Sequence, residues 1–226
     1  MSSSDARSAH KPTSEQAVGY NKYGQKIGSK GERTRQLLID ATVQLLESHG
    51  LRDVSVADVA REAQMSPATF YVYFRGVPEV VLAALETVSQ TSPEIEDLIS
   101  EDWRQSDSED QARSFVDLYC ALWNQNRTVF RVRNMAAEEG DERFYQTRMD
   151  AARPVMAALT SKIELAQRSG LVPGRLKARS CAGTILMMLE RLAAIGPYTS
   201  EDDGISYDSL RAAAAHSIAM MVGAGN

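Results

Sequence analysis

The chain has 226 residues, 43% of them apolar, enough to fill one large domain or a small domain joined to a larger one. Its net charge is −5, no run approaches the roughly 18 consecutive apolar residues of a membrane span, and the opening MSSSDARSAHK lacks the apolar segment of a secretory signal, so a cytoplasmic protein with no membrane contact is expected. Cys120 and Cys181 stand far apart without a CxxC and His10, His49 and His216 are scattered, so reduced core cysteines are expected and no disulfide, metal or cofactor site.

Charge is unevenly placed: residues 1–80 carry ten Lys/Arg against nine Asp/Glu, and the remainder fifteen against twenty-one. Residues 1–28, rich in Ser, Gly, Gln and Lys, read as a flexible basic arm. Lys22, Lys26 and Lys30, continued by Arg33 and Arg35, face only Glu32, a cluster suited to phosphates, although a solvated charged face would look the same. A first helix is predicted over about 31–49, where Leu37, Leu38, Ala41, Leu45 and Leu46 recur at helical spacing and Gly50 suits a left-handed terminating residue. Ser55 and Asp58 form a capping box, with Val54 and Val59 placed as a hydrophobic staple, and start a second helix over 56–63. Ser66 as N-cap and Pro67 at the first helical position start a third, over 67–74. Two short helices joined by a tight turn and packed on the first make a helix-turn-helix. An ordinary core hairpin has the same periodicity, but Ser66, Thr69, Tyr71 and Tyr73 give helix three a polar and aromatic face beside the basic arm, which favours DNA reading.

The stretch VSVADVAREAQMSPATFYVYFRGVPEVVL, residues 54–82, resembles the signature of the tetracycline-repressor (TetR) family: a capped helix, A-x-x-A, then T-[LF]-Y-x-[YH]-F. The likeness covers about residues 33–85. It implies an all-α fold with an N-terminal three-helix helix-turn-helix DNA-binding domain (29–77) and a C-terminal helical ligand-binding and dimerisation domain (78–226). It places Pro67, Ala68 and Thr69 at the major-groove end of the recognition helix, Tyr71 and Tyr73 beside the DNA backbone, and Ser55 at a phosphate. Hydroxyls can bond phosphates or base edges, and the methyls of Ala68 and Thr69 can touch thymine. Helix three carries no Arg, Asn or Gln, so direct base reading should be modest, with help from DNA shape and the arm. Val77 stands where the family usually has a Lys near the start of helix four, which leaves open whether Arg75 replaces that cation.

Beyond Pro78 the sequence is a succession of helical segments. Phe115, Leu118, Leu122 and Trp123 mark one apolar face; Tyr145, Met149, Ala152, Met156, Leu159 and Ile163 mark another, on a helix that Pro154 is expected to kink or split. Trp103, Trp123, Phe130, Met135, Phe144, Tyr145, Met149 and Met156 are the candidate lining of a pocket for a small, largely apolar or amphipathic effector, though the same side chains would equally fill a solid core. One of Arg127, Arg131, Arg133, Arg143, Arg148 and Arg153 can hold a ligand carboxylate or phosphate; most are expected on a solvated face paired with Glu138, Glu139 or Glu142. The last two helices are predicted at about 177–195 and 207–222, with Ile185 and Ile218 on apolar faces expected to pair. By the resemblance, those helices form a homodimer that sets two reading helices on one side of a pseudo-palindromic double-stranded DNA operator. No G-x-S-x-G, P-loop or glycine-rich dinucleotide turn is present, so an enzyme is not expected. The implied function is a ligand-responsive transcriptional regulator, a repressor by family default. The alternatives are a helical enzyme and a ligand-free architectural DNA-binding protein, and a cavity beside Trp123 and Tyr145 would favour the regulator.

Overall fold

The computed structural model describes residues 28–89, 93–103, 108–199 and 204–223, and in them the chain forms ten α-helices, a short 3-10 turn and no strand. Helix α1 (Ser29–Leu46) buries Leu38, Ile39, Ala41, Thr42 and Leu46. The buried Thr42 hydroxyl donates to the Leu38 carbonyl at 2.8 Å, so no polar group is stranded on that face. The helix ends on right-handed Glu47, not on a left-handed Gly50 as expected. Gly50 belongs instead to a following turn, where its carbonyl accepts the Asp53 N–H at 3.0 Å.

Helices α2 (Val56–Glu62) and α3 (Pro67–Tyr73) start where their caps predict, and the staple residues Val54 and Val59 are both buried. The turn between them closes as a Schellman motif: Gln64 N–H donates to the Arg61 carbonyl at 3.0 Å and Met65 N–H to that of Ala60 at 2.8 Å. This geometry forces Gln64 to φ 55°, a left-handed conformation that costs an L-residue about 1–2 kcal/mol. At the two analogous closures after later helices the left-handed position is a glycine, Gly140 and Gly170.

The remaining helices are α4 (Val77–Ser89), α5 (Pro93–Ser100), α6 (Ser108–Gln125), α7 (Arg127–Glu138), α8 (Glu142–Arg168), α9 (Ala178–Ile195) and α10 (Tyr207–Met221), with the 3-10 turn Gly196–Tyr198 before α10. Pro154 lies inside the 27-residue α8 and does not split it. A proline removes one rung of the hydrogen-bond ladder, and α8 is held along its length by packing on α5, α7 and α9.

One contiguous buried cluster runs from Leu38 to Val222, so the proposed boundary near residue 77 is not a gap in the packing. Helix α4 bridges it, touching α1 as well as α7 and α8. Arg131 of α7 adds a polar tie by donating to the Leu46 carbonyl at the C-terminal end of α1 (2.5 Å), and Arg52 pairs with Glu139 at 3.0 Å. A cation at that end of α1 also complements its dipole.

One expectation about the last two helices and one about the arginines of α7 and α8 differ from the structure. Ile185 and Ile218 are both 0% exposed within one chain, so they belong to its own core and not to a free pairing face. On α9 the outward stripe is Thr184, Met187, Arg191 and Ile195; on α10 it includes Ala213, His216 and Met220. The arginines of α7 and α8 also do not pair with Glu138, Glu139 or Glu142. Arg127 binds the carbonyls of Ala193 and Ala194, Arg133 and Arg148 meet Glu190, Arg143 meets Asp141, and Arg153 meets Asp150. Periodicity gives the face of a helix but not which neighbour lies against it.

Candidate nucleic-acid interface and internal cavity

Helix α3 is fixed by its cap and by one aromatic anchor. Ser66 Oγ accepts the Thr69 N–H at 3.1 Å and lies 3.0 Å from Thr69 Oγ1, which leaves Thr69 half-buried. Phe70 points inward and packs on Phe74, with ring centroids 5.8 Å apart. The Arg35 guanidinium sits 5.4 Å over the Phe74 ring, joining the basic side of α1 to this helix. Pro67, Ala68, Tyr71 and Val72 then form the exposed face, while Tyr73 is half-buried against the core. Val72 had not been singled out from the sequence. Its place four residues after Ala68, on the same helical face, is the signal that finds it.

The flanking groups are partly engaged within the chain. Ser55 spends both its N–H (3.1 Å) and its hydroxyl proton (2.5 Å) on the Asp58 carboxylate, while its Oγ accepts the Asp58 N–H. Those bonds, with Arg61 at 2.6 Å, hold the Asp58 carboxyl down at about 2. A phosphate needs donors, so Ser55 can serve one only by releasing Asp58. Val77 is buried in the core. Arg75 is largely exposed but shares its charge with Glu79 at 3.6 Å, and its N–H donates to the same carboxylate at 2.7 Å. Lys30 is exposed in the first turn of α1; Lys22 and Lys26 lie outside the described residues.

Helices α4 to α9 line a cavity of about 300 Å³ with mostly apolar walls, open to solvent beside the exposed Met149 and Met187. Four of the eight predicted lining residues meet there: Trp123, Phe130, Met149 and Met156. The other four do not. Trp103 packs outside it, donating to the Leu98 carbonyl at 2.8 Å under the Lys162 ammonium, and Phe144 is sealed in the core. Met135 (54% exposed) and Tyr145 (45%) face outward, because their neighbours Ala136 and Phe144 take the buried positions of α7 and α8.

A polar cluster forms part of the wall. Arg133, only 6% exposed, donates through Nη2 to Glu190 Oε1 at 3.2 Å. Arg148 Nε reaches the same oxygen at 3.3 Å, and its Nη2 takes Glu190 Oε2. Burial pulls the Arg133 guanidinium down from its ordinary value. Tyr119 also lines the cavity, and burial together with the Glu190 carboxylate pushes its phenol up, so it keeps its proton. Glu190 escaped the sequence reading, although its place among Leu186, Leu189 and Ala193 on the buried face of α9 marks it as a carboxylate on an apolar stripe.

Both parts of the chain match known families. The family model for "Tetracyclin repressor-like, C-terminal domain" matches residues 95–224, more than half of the chain, and that for "Bacterial regulatory proteins, tetR family" matches residues 38–84. The chain belongs to the TetR family. It is accordingly a DNA-binding transcriptional regulator and not an enzyme. Among curated proteins it is similar to the transcriptional regulator EthR of Mycobacterium tuberculosis, 28% identical over 171 residues that cover 74% of this chain and 78% of EthR. It is also similar to the regulator BetI of Brucella anthropi, 42% identical over 60 residues covering 26% of this chain and 30% of BetI. Two solved structures share the TetR fold of this chain. The fatty acid degradation regulator FadR from Bacillus halodurans superposes with a TM-score of 0.63 at 16% identity, covering 86% of this chain and 96% of that one. FadR from Bacillus subtilis, solved in complex with stearoyl-CoA, gives 0.60 at 16% identity over 84% and 98%.

Proposed function

We propose that this TetR-family chain is a ligand-responsive repressor that binds a pseudo-palindromic operator as a cytoplasmic homodimer and leaves it when a small, largely apolar or amphipathic molecule fills the cavity. One observation carries the reading: α7 lines the cavity with Phe130 and Arg133 and, between them, uses Arg131 to hold the C-terminal end of α1. Cavity and reading head therefore share a helix, and an occupant that moves α7 also moves α1. A ligand shifts the balance of states only by its differential affinity for them, and this tie is a place where that difference can arise. A purely architectural DNA binder has no use for such a cavity.

On this reading α3 enters the major groove with Pro67, Ala68 and Thr69 foremost, the methyls of Ala68 and Val72 touch thymine, and Tyr71 and Tyr73 lie beside phosphates. Lys22, Lys26 and Lys30 add phosphate contacts. Ser55 joins them once its donors turn from Asp58. The exposed Ile195 and Met220 on the last two helices supply apolar surface for pairing. With genomic fragments selected by the purified protein as operator, Thr69→Ala and Tyr71→Phe are each expected to weaken binding about fivefold, the loss of about 1 kcal/mol of hydrogen bonding. Thr69→Ala should also relax base preference, and sedimentation should give two chains for each palindrome or a multiple of two. Wild-type affinity in both variants would remove α3 from the interface, and one chain per operator would remove the dimer.

A further inference from the structure

We infer that the occupant of the cavity is a compact amphipathic monocarboxylate, whose carboxylate competes with Glu190 for Arg133 and Arg148 while its apolar body lies along Trp123, Phe130, Met149 and Met156. The inference deepens the proposed function and rests on the cavity being the effector site.

The polar groups of the wall are unbalanced in two ways. First, α7 and α8 bring two guanidiniums to a single carboxylate on α9. Among the described residues no second carboxylate lies within ion-pair distance of either, and Glu138 acts on Arg148 only from farther off. A net positive charge is thus held at the edge of an apolar space, where a charge is costly unless a counter-charge arrives. Second, Trp123, whose ring lines the cavity, has an indole N–H with no acceptor among the described residues, buried so that a ligand reaches it only if the ring turns. Tyr119 adds a phenol that keeps its proton. Arg133 Nε also donates to Asn134 Oδ1 at 3.0 Å, but Glu190 is the one carboxylate that the two guanidiniums share among the described residues. A ligand that completes the site supplies acceptors and one negative charge, and a planar carboxylate matches the guanidinium fork in both respects.

Size narrows the class further. About 300 Å³ is at the lower end of the roughly 300–1,000 Å³ of small-molecule sites, which suits a compact acid and not a nucleotide conjugate. An alcohol or amide would leave the charge uncompensated, and an amine would add to it. Exchange of Glu190 for the ligand carboxylate also loosens the tie from α9 to α7 and α8, the change that the proposed function needs at α7.

The test is calorimetric titration of the full-length protein with two matched pairs, decanoate with 1-decanol and 4-phenylbutyrate with 4-phenyl-1-butanol. At least one acid is expected to bind tenfold or more tightly than its alcohol. Glu190→Gln, which removes the competing charge, should tighten that acid at least threefold and leave the alcohol unchanged; a merely structural ion pair predicts no such split. Arg148→Gln should erase the preference, and so should Arg133→Gln; each leaves one guanidinium paired with Glu190 and no net charge, so either variant serves if the other does not fold. Alcohols binding as tightly as acids, or a Glu190→Gln variant with unimproved acid affinity, would overturn the assignment while leaving the cavity as an effector site. No binding by any of the four would remove both.

Discussion

Replacing Phe70 by alanine is expected to cost about 3–5 kcal/mol and to abolish operator binding while the body of the protein stays folded. Phe70 is the one fully buried residue of a seven-residue helix. A helix so short has no stability of its own in water, so its orientation depends on that ring in its site against Phe74 and on the Ser66 cap. Both tryptophans, Trp103 and Trp123, lie in the body. Urea unfolding followed by tryptophan fluorescence should therefore keep its main transition in the variant, whereas hydrogen exchange in residues 54–75 should accelerate. Tyr71→Phe, which keeps the ring on the same helix, should accelerate exchange far less than Phe70→Ala does while still weakening DNA binding. A Phe70→Ala protein that binds operator as the wild type does would mean that α3 is not what reads it.

The second large effect is expected at Glu190. Glu190→Leu leaves Arg133 buried with no counter-charge, and removing one partner of a buried ion pair costs about 3–5 kcal/mol. Arg148, with 26% of its side chain exposed, can turn outward; Arg133, at 7%, cannot. The loss should appear as an earlier urea midpoint in the tryptophan-monitored transition of the body. Arg133→Leu/Glu190→Leu should recover much of it, because two apolar side chains of similar volume can replace a buried pair at little cost. A Glu190→Leu protein within about 0.5 kcal/mol of wild type, the usual range for surface substitutions, would show that the cluster bears no such charge imbalance.

Local chemistry was the most legible part of the sequence. Ser55 with Asp58, and Ser66 with Pro67, start their helices where capping predicts, because a cap needs only residues within one turn of it. Gly50 and Gln64 show the limit. Glycine favours the left-handed region but does not demand it, and the turn between α2 and α3 imposes that conformation on a glutamine because the chain must reverse there. The cavity was half legible for a related reason. Trp123, Phe130, Met149 and Met156 lie on it and Met135 and Tyr145 do not, yet all six belong to apolar runs. The difference is set by which helix packs against which, through contacts between residues far apart in sequence. The same applies to Ile185 and Ile218, whose faces were correctly apolar but are covered by the chain itself. Arg133 left a usable trace, a cation four residues after Val129 and three before Ala136 on a buried stripe. Its partner Glu190 lies 57 residues away, beyond any local pattern.

The central claim is that the state of the cavity and the hold on DNA are one equilibrium, joined where α7 lines the cavity and holds α1. Operator affinity titrated against the tightest-binding of the four probes measures it directly. The operator Kd should rise by at least fivefold, the lower end of coupling between sites, and level off as tryptophan fluorescence reports that the cavity is full. Bound operator should weaken the probe by the same factor. An operator Kd that stays constant while the cavity fills would contradict the account.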